Sequence, residues 1–225
     1  MASREAKAAL FDAIARVGRA VGSGRRLEIL EALANGERSV ERLAEVLELP
    51  GANVSRHLQV LRQAGLVAAR RDGPFVRYRL ASPEVFRFLR ALRVVAASQV
   101  AEVRDLARAY LGQAGALEPV GRDELARRIE RGEVVVIDVR PREEYEAGHV
   151  PGALSVPLPE LRRRLRAIPR DREVIAYCRG PLCAFSGEAV ALLRSRGYRA
   201  RRLEDGLPEW AEAGFPVERV GGGSR

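Results

Sequence analysis

Two cysteines lie five positions apart, and the chain has no others. Cys178 follows the apolar run 174–177 and opens a short loop, after which a helical pattern begins at Ala184. A strand, a cysteine, a tight loop and a helix place a thiol over the backbone N–H groups of a helix N-terminus. Such surroundings stabilise anions and lower the pKa of a thiol below its free value of about 8.5. We therefore predict that Cys178 is a reactive nucleophile; the alternative is a small buried side chain at a strand end.

The composition is that of a globular protein long enough for two domains, with 225 residues of which 47% are hydrophobic and 31% charged. No apolar stretch approaches the length of about 18 residues that a membrane span requires. The first seven residues lead into an amphipathic pattern, which is not that of a signal peptide. We expect a cytoplasmic protein with no membrane association, in which two cysteines favour a catalytic or redox role over a structural disulfide.

The positive charge of +9 is concentrated in the first half of the chain. Residues 1–113 hold 19 Lys and Arg against 12 Asp and Glu, whereas residues 114–225 hold 20 against 18. A basic first half predicts a polyanionic partner for that half alone. Two glycines and a proline between 111 and 119 indicate the domain break. We expect domains at 1–113 and 119–219, a linker at 114–118 and a disordered tail at 220–225.

The first half contains the pattern of a helix-turn-helix. A helix ends at Asn35 and Gly36, and Ser39 is a suitable N-cap for a helix over 40–47. A turn at 49–51 precedes a second helix over 52–64, with Val54, Leu58 and Leu61 as its buried stripe. The other side of this helix carries residue types that bind base edges or phosphates: Asn53, Ser55, Arg56, His57, Gln59 and Arg62.

A hairpin with a basic surface follows the second helix. Residues 65–80 form two alternating segments around the turn signal Asp72-Gly73. Arginines alone indicate a solvated face as readily as a binding surface. Because they follow a helix-turn-helix, we predict a DNA-binding wing that presents Arg70, Arg71, Arg77 and Arg79.

The motifs at 26–30, 54–58, 61–67 and 78–80 together resemble the ArsR/SmtB family, over about residues 8–110. The resemblance implies a winged-helix repressor that binds a pseudo-palindromic double-stranded DNA operator as a homodimer. It also implies a dimer interface formed by the N-terminal helix and by a helix around residues 82–112, with the apolar residues Val85, Phe86, Leu89, Leu92, Val95, Ala96, Val100, Val103 and Leu106.

The ligands of the metal sensors in that family are absent from this sequence. Those sensors place cysteines near the first helix of the helix-turn-helix, or His and carboxylate ligands on the dimer helix. Here residues 38–43 contain no cysteine, and residues 82–112 contain neither His nor Cys. The two histidines are His57 and His149. We therefore expect no metal and no cofactor, and the sensing function to lie outside this half.

The second half alternates between strands and helices. Apolar runs at 134–140, 174–177 and near 198–203 are separated by helical patterns, which predicts one α/β domain with a mostly parallel sheet. The fold class of the whole chain is therefore a mainly α winged helix-turn-helix domain followed by an α/β domain.

Motifs at 137–140, 148–153, 178–184 and 205–217 resemble the rhodanese family. The resemblance implies that Cys178 takes a sulfane sulfur from a donor and passes it to a thiol acceptor, which is sulfurtransferase activity. The anionic persulfide would lie in the loop of Arg179, Gly180, Pro181, Leu182, Cys183 and Ala184, held by backbone amides other than that of Pro181. We interpret Asp138, Arg140 and His149 as structural.

The loop departs from the commoner rhodanese pattern at Cys183, where an arginine usually stands. The loss of that charge disfavours thiosulfate as the natural donor. Cys183 is a candidate resolving thiol that attacks a Cys178 persulfide, releases hydrosulfide and leaves a disulfide; the alternative is a small buried side chain. The sequence leaves open whether this loop permits disulfide geometry.

Three functions fit these motifs. The first is a regulator whose rhodanese-like domain senses sulfur through Cys178, and we favour it. The second is a sulfurtransferase whose DNA-binding half controls its own operon without coupling between the domains. The third, which we favour least, is thiol-based reduction of arsenate. The sequence leaves open the operator, the sulfur donor and acceptor, and the sign of the response.

Overall fold

The computed structural model describes residues 3–112 and 118–220, which form two compact units that divide between Ala96 and Ala97. The predicted linker lies outside these residues except for Glu118, and the predicted disordered tail lies outside them except for Val220. No helix in the two described ranges is long and apolar enough to cross a membrane. Each unit is described by itself.

The first unit is a helical domain with a small antiparallel sheet of order β1-β3-β2. Its elements are α1 (Arg4–Val21), α2 (Gly24–Ala34), β1 (Arg38–Ser39), α3 (Val40–Leu47), α4 (Gly51–Gln63), β2 (Val67–Asp72), β3 (Phe75–Leu80) and most of α5 (Pro83–Gln99). This is the predicted helix-turn-helix, α3 and α4, followed by the predicted wing, β2 and β3.

Local signals determine where these helices begin and end. The Ser39 hydroxyl accepts a hydrogen bond from the backbone N–H of Arg42 at 3.3 Å, which confirms Ser39 as the N-cap of α3. Helix α2 ends at Ala34, and Gly36 then adopts a φ of +129°, a conformation that favours glycine. The predicted buried stripe of α4 is confirmed, because Val54, Leu58 and Leu61 are fully buried.

The two strands of the wing are joined by Gly73 and Pro74. Asp72 still pairs with Phe75, so the connecting loop begins one residue later than the Asp72-Gly73 signal indicated. Gly73 has a φ of +60°, which suits a tight turn between antiparallel strands. Arg70 pairs with Arg77 across the ladder, and Arg71 pairs with Val76.

The single helix expected over 82–112 is wrong. Helix α5 ends at Gln99, Val100 has an extended backbone, and α6 covers Ala101–Leu111. The guanidinium of Arg104 donates to the carbonyls of Ala97 and Ser98 at 3.1 Å. These contacts satisfy carbonyl groups that a continuous helix would bond to its own backbone.

The predicted dimer stripe on this helix is also partly wrong. Val85 and Leu89 are buried in the core of the first unit, and Leu92 packs against that core. These side chains are therefore occupied within one chain. Val95 remains exposed, as does its neighbour Val94.

The second unit contains a five-stranded sheet of order β4-β8-β7-β5-β6 in which every pairing is parallel. Its strands are β4 (Pro119–Val120), β5 (Val134–Asp138), β6 (Leu154–Ser155), β7 (Glu173–Tyr177) and β8 (Ala200–Leu203). Its helices, besides α6, are α7 (Arg122–Glu130), α8 (Arg142–Ala147), α9 (Leu161–Arg164), α10 (Ala184–Ser195) and α11 (Leu207–Glu212). The predicted α/β class is confirmed.

Both faces of this sheet are buried, which explains the nearly continuous apolar runs of β5 and β7. Val135 and Ile137 pack on one face in a cluster that includes side chains of α10. Val134 and Val136 pack on the other face with side chains of α7 and α11. Because β7 lies at the centre of the sheet, the residue that follows it emerges from the middle of the carboxyl edge.

Candidate thiol site and nucleic-acid interface

Cys178 directly follows β7, and Cys183 is the N-cap residue of α10. Cys178 is buried, with 1% of its surface exposed, whereas Cys183 is half-buried. Their sulfur atoms are joined as a disulfide. The Cα atoms lie 6.3 Å apart, a separation typical of disulfides. The loop therefore holds the two sulfur atoms in bonding contact at the N-terminus of α10.

The backbone of the loop is organised by a turn. The N–H of Cys183 donates to the carbonyl of Gly180 at 3.0 Å, so this amide is engaged within the loop. The Ser186 hydroxyl donates to the Cys183 carbonyl at 3.5 Å. The first N–H groups of α10 have no partner inside the helix, as in any α-helix, and they carry partial positive charge.

A close approach by Gly206 holds the other side of the loop. The Leu207 N–H donates to the Cys178 carbonyl at 3.4 Å. A Cβ atom on Gly206 would overlap the peptide that joins Arg179 to Gly180. The Gly206 N–H donates to the Glu209 carboxylate at 3.1 Å, which fixes the start of α11. The sequence showed Asp205-Gly206 as a motif, but it gave no sign of this contact.

Glu144 binds the arginine that follows the nucleophile. The Arg179 guanidinium donates to the Glu144 carboxylate, with an Nη2–Oε1 distance of 2.6 Å and an Nε–Oε1 distance of 3.0 Å. Glu144 is buried, and the Arg179 guanidinium also lies 5.6 Å from the Phe185 ring centre. The charge of Arg179 is therefore neutralised beside the loop. Sequence reasoning missed Glu144.

A buried network lies below the carboxyl edge of β5 and β7. Arg140 donates to Asp138 at 2.6 Å and to the Gly148 carbonyl at 2.7 Å. The Tyr177 hydroxyl donates to Asp138 at 2.6 Å and accepts from the Val150 N–H at 3.1 Å. Burial and the nearby Asp138 carboxylate raise the pKa of Tyr177 well above its usual value. Burial opposes the charge of Arg140, but its bonds to Asp138 outweigh this and raise its pKa.

His149 is held entirely by internal contacts. Its Nδ1 lies 2.8 Å from the Tyr145 carbonyl, and its ring stacks on the Tyr145 ring at a centre separation of 3.7 Å. Its Nε2 lies 3.5 Å from a carboxylate oxygen of Glu218. These contacts fit the structural role assigned to His149 from the sequence. Among the described residues, no group of three or more His, Cys, Asp and Glu side chains is arranged to hold a metal ion.

The polar residues predicted on α4 lie away from its buried stripe. Asn53, Arg56, Gln59 and Arg62 are exposed, and Ser55 and His57 are half-buried. Within the described ranges, Arg56 and Arg62 make no hydrogen bond or ion pair. Their guanidinium groups are therefore available to an anionic partner.

The four predicted wing arginines differ in their partners. The Arg70 guanidinium lies 2.8 Å from the Glu37 carboxylate, and Arg79 lies 3.7 Å from the same carboxylate. Arg77 binds Asp72 at 2.5 Å. Arg71 points to the other face of the hairpin and has no ion pair among the described residues. Three of the four arginines thus have a carboxylate partner within the chain, and Arg70 and Arg79 share Glu37.

Comparison with known proteins assigns a family to each unit. Residues 23–69 match the model of bacterial regulatory proteins of the arsR family, and residues 121–213 match the rhodanese-like domain. The HTH-type transcriptional regulator Rv0324 of Mycobacterium tuberculosis is 46% identical over 212 residues, which cover 94% of this chain and 93% of the relative.

Shorter matches cover each unit separately. A sulfurtransferase of Allochromatium vinosum is 37% identical over 86 residues, which cover 38% of this chain and 78% of the relative. The solution structure of a homodimeric winged helix-turn-helix domain from Mycobacterium bovis, a possible ArsR-family regulator, is 43% identical with a TM-score of 0.42. That match covers 44% of this chain and 93% of the other.

Proposed function

This chain belongs to the ArsR family of bacterial transcriptional regulators and carries a C-terminal rhodanese-like domain, and we propose that Cys178 makes it a sulfur-responsive repressor. In this proposal the protein acts in the cytoplasm as a homodimer on a double-stranded DNA operator. Sulfane sulfur reacts at Cys178, and the reaction weakens the binding of the operator. The observation that carries the proposal is the pairing of Cys178 with Cys183 at the N-terminus of α10.

The first chemical step forms a persulfide on the reduced protein. The Cys178 thiolate attacks the outer sulfur of a donor R–S–SH, the sulfur–sulfur bond of the donor breaks, and R–S⁻ leaves. Cys178 then carries the added sulfur as Cys178–S–SH. The N-terminus of α10 supplies N–H groups and partial positive charge that stabilise the thiolate and the persulfide anion. The paired Arg179 contributes little net charge, so the backbone provides most of the stabilisation.

The second step uses Cys183 as the resolving thiol. The Cys183 thiolate attacks the inner sulfur of the persulfide, HS⁻ leaves, and the Cys178–Cys183 disulfide remains. The sulfane sulfur is reduced to sulfide while the two thiols are oxidised, so electrons balance without a further reagent. A Cα separation of 6.3 Å supports this step, because the two sulfur atoms reach each other without separating the ends of the loop.

A route from this disulfide towards the DNA-binding half runs through α6. Helix α10 begins immediately after Cys183 and packs against α6. The half-buried positions of α6 are Val103, Ala107 and Leu111, a spacing that places them on one face. Helix α6 in turn follows α5 after the single residue Val100. We propose this as the path by which Cys178 chemistry changes the dimer.

Two apolar surfaces support the homodimer. Helix α1 exposes Leu10, Phe11 and Ile14, each more than half exposed, and α5 exposes Val94 and Val95 to a similar extent. Clusters of large exposed apolar side chains mark surfaces that another chain covers. We propose that α1 and α5 form the dimer interface. The apolar residues nearer the N-terminus of α5, such as Val85 and Leu89, pack instead in the core of the protomer.

The roles proposed for the polar residues of α4 and the wing in DNA binding depend on their solvent exposure and on their ion pairs within the chain. Arg56, Arg62 and Arg71 contact phosphates, since no carboxylate among the described residues neutralises them. Asn53 and Gln59 are exposed on α4 and suit base edges. Ser55 and His57 are half-buried and therefore contribute less to the contact with DNA. Arg70, Arg77 and Arg79 must first break their ion pairs with carboxylates before they bind phosphates.

A second candidate function is a sulfurtransferase whose DNA-binding half is not coupled to it. The similarity of the C-terminal unit to a sulfurtransferase of Allochromatium vinosum favours this candidate. In this case an external thiol acceptor takes the sulfur from Cys178, and the affinity for DNA does not respond to sulfur.

Mass spectrometry of the reduced full chain after brief exposure to polysulfide tests the chemistry. We expect the wild type to lose two hydrogen atoms by forming the disulfide. Cys183→Ser should gain one sulfur atom on Cys178, and Cys178→Ser should show neither change. A Cys183→Ser variant that takes up no sulfur would exclude the persulfide step and, with it, both candidate functions.

A further inference from the structure

The charge of the rhodanese-like half is divided between two regions. Residues 162–172 and 194–199 contain nine arginines and one aspartate. The rest of residues 114–225 contains eleven arginines against seventeen acidic residues. The two segments therefore carry a net charge of +8, and the remainder carries −6. We call the surface formed by residues 162–172 and 194–199 the arginine face.

The two segments of the arginine face contact each other directly. The Arg170 guanidinium donates to the Arg196 carbonyl at 3.2 Å and lies 4.3 Å from the centre of the Tyr198 ring. The Tyr198 hydroxyl donates to the Leu165 carbonyl at 2.5 Å. Arg199 donates to the Asp171 carbonyl at 3.0 Å. These contacts hold the two segments side by side in the second unit.

The outer part of the arginine face has guanidinium groups without partners. Leu161 and Ile168 are buried and anchor the segment to the core. Between them, Arg162, Arg163 and Arg166 are exposed and make no hydrogen bond or ion pair with the residues that the structure describes. Elsewhere in the same unit, most arginines bind a carboxylate, as Arg122 binds Asp205 and Arg128 binds Glu173. Unpaired like charges held on one rigid surface repel each other unless an anion binds them.

We propose that the arginine face binds the phosphate backbone of double-stranded DNA, in addition to the contact made by the winged helix-turn-helix. Guanidinium groups bind phosphates through paired hydrogen bonds, and a row of them matches the repeating charge of a duplex. Because the same chain binds DNA through its first unit, a duplex is already present at high effective concentration.

The composition of the arginine face argues against other polyanions. Its one aromatic residue, Tyr198, is 6% exposed, so it offers no surface on which unpaired bases stack. Within its two described segments no large apolar side chain is exposed, which disfavours insertion into a membrane surface. A duplex, whose phosphates are its outermost groups, fits these features best.

At its C-terminal residues, Arg172 and Arg199, the arginine face lies at the edge of the sheet opposite the thiol site. Its two segments lead into the amino ends of β7 and β8, whereas Cys178 follows the carboxyl end of β7. The five residues of β7 span about 17 Å at 3.3 Å per residue. Persulfide formation at Cys178 is measured on every variant, and a wild-type reaction shows that the variant is folded.

The test uses the full chain and a duplex of arbitrary sequence. The triple variant Arg162→Gln, Arg163→Gln, Arg166→Gln is compared with the wild type by fluorescence anisotropy between about 50 and 200 mM salt. Each lost phosphate contact lowers the slope of log K against log salt by about 0.9. We expect the slope to fall by about 2 to 3 and the affinity at the lower salt to fall at least tenfold.

The matched control removes three charges from the same unit outside the arginine face: Arg127→Gln, Arg131→Gln, Arg142→Gln. We expect this control to keep the wild-type slope to within about one half. Equal losses of affinity in both variants would show that the effect depends only on net charge, which would overturn the proposal. A wild-type slope in the triple variant would also overturn it.

Discussion

Glu144 holds the guanidinium of Arg179 at 2.6 Å, so the positive charge nearest to Cys178 in the sequence is neutralised by a buried carboxylate. Glu144 also lies 4.0 Å from Arg140, which is paired with Asp138. The loop thus depends on backbone N–H groups rather than on a free arginine to stabilise an anion. This arrangement suits a persulfide donor better than doubly charged thiosulfate.

Replacing Glu144 with Gln should free the charge of Arg179. We expect the reduced variant to react with thiosulfate about threefold to tenfold faster than the wild type, because an unbalanced guanidinium then attracts the anionic donor. The reaction with a neutral donor should change less. The variant should also lose about 3 kcal/mol of stability, since a buried ion pair is broken. Stopped-flow kinetics with both donors measure the ratio.

Glu143→Gln is the matched control, because it removes the same charge from an exposed position on the same helix. It should leave the preference between donors unchanged. The same preference in both variants would show that the Glu144–Arg179 pair does not determine the choice of donor.

Replacing Gly206 with Ala should displace the cysteine loop. The added Cβ meets the backbone between Arg179 and Gly180, which has no flexible side chain to move away. We expect a loss of stability of about 2 kcal/mol or more and a loss of persulfide formation at Cys178. Gly121→Ala is the control, because a Cβ at Gly121 meets no atom within 4 Å. Thermal unfolding and mass spectrometry check both effects, and a Gly206→Ala variant with wild-type stability would contradict the close approach.

Contacts within short stretches of sequence were predictable. Ser39 caps α3, Gly36 follows the end of α2, and the stripe of α4 is buried, because each depends on neighbours a few residues away. The position of Cys178 between a central strand and a helix was predictable for the same reason. Alternation of the apolar runs sufficed to predict the parallel sheet.

Contacts between distant residues were not predictable. Glu144 and Arg179 are 35 positions apart, and nothing in either segment specifies which of several carboxylates meets the arginine. The break at Val100 contains no glycine or proline; side-chain bonds from Arg104 accompany it. The four wing residues are all arginines, so their residue type does not distinguish them. Only the register of the two strands shows that Arg71 lies on the opposite face of the hairpin from the other three.

The pairing of Glu173 makes the stability of the second unit depend on pH. Burial alone would raise its pKa, but bonds from Arg201 and Arg128 outweigh burial and lower it. A carboxylate with a lowered pKa stabilises the fold above its unfolded pKa of about 4.3, and this contribution is lost as pH falls through the folded pKa. Glu173→Gln should therefore be less stable than the wild type by about 1 kcal/mol at neutral pH, and this difference should shrink as the pH falls below the unfolded pKa of about 4.3.

Urea unfolding at several pH values measures this difference. Glu130→Gln, at an exposed position, is the control and should follow the wild type at every pH. A deficit in Glu173→Gln that stays constant down to pH 3 would show that the loss is not electrostatic.

The pairing of the wing arginines predicts unequal effects on DNA binding. Arg71→Gln should lower the slope of log K against log salt by about one, because an unpaired guanidinium contacts a phosphate. Arg77→Gln should lower it by less, since Arg77 is balanced by Asp72. Anisotropy titrations with one duplex at several salt concentrations compare the two. Equal slopes in the two variants would indicate that the Asp72 pair opens when DNA binds.

In the proposed function, Cys178 chemistry controls the affinity for DNA. The most direct measurement is operator affinity at one salt concentration for the wild type and Cys178→Ser, with and without polysulfide. The operator is first selected from random duplexes, and mass spectrometry follows both thiols. We predict that polysulfide weakens binding by the wild type at least tenfold and leaves Cys178→Ser unchanged. Unaltered binding by a wild type whose disulfide has fully formed would contradict the claim.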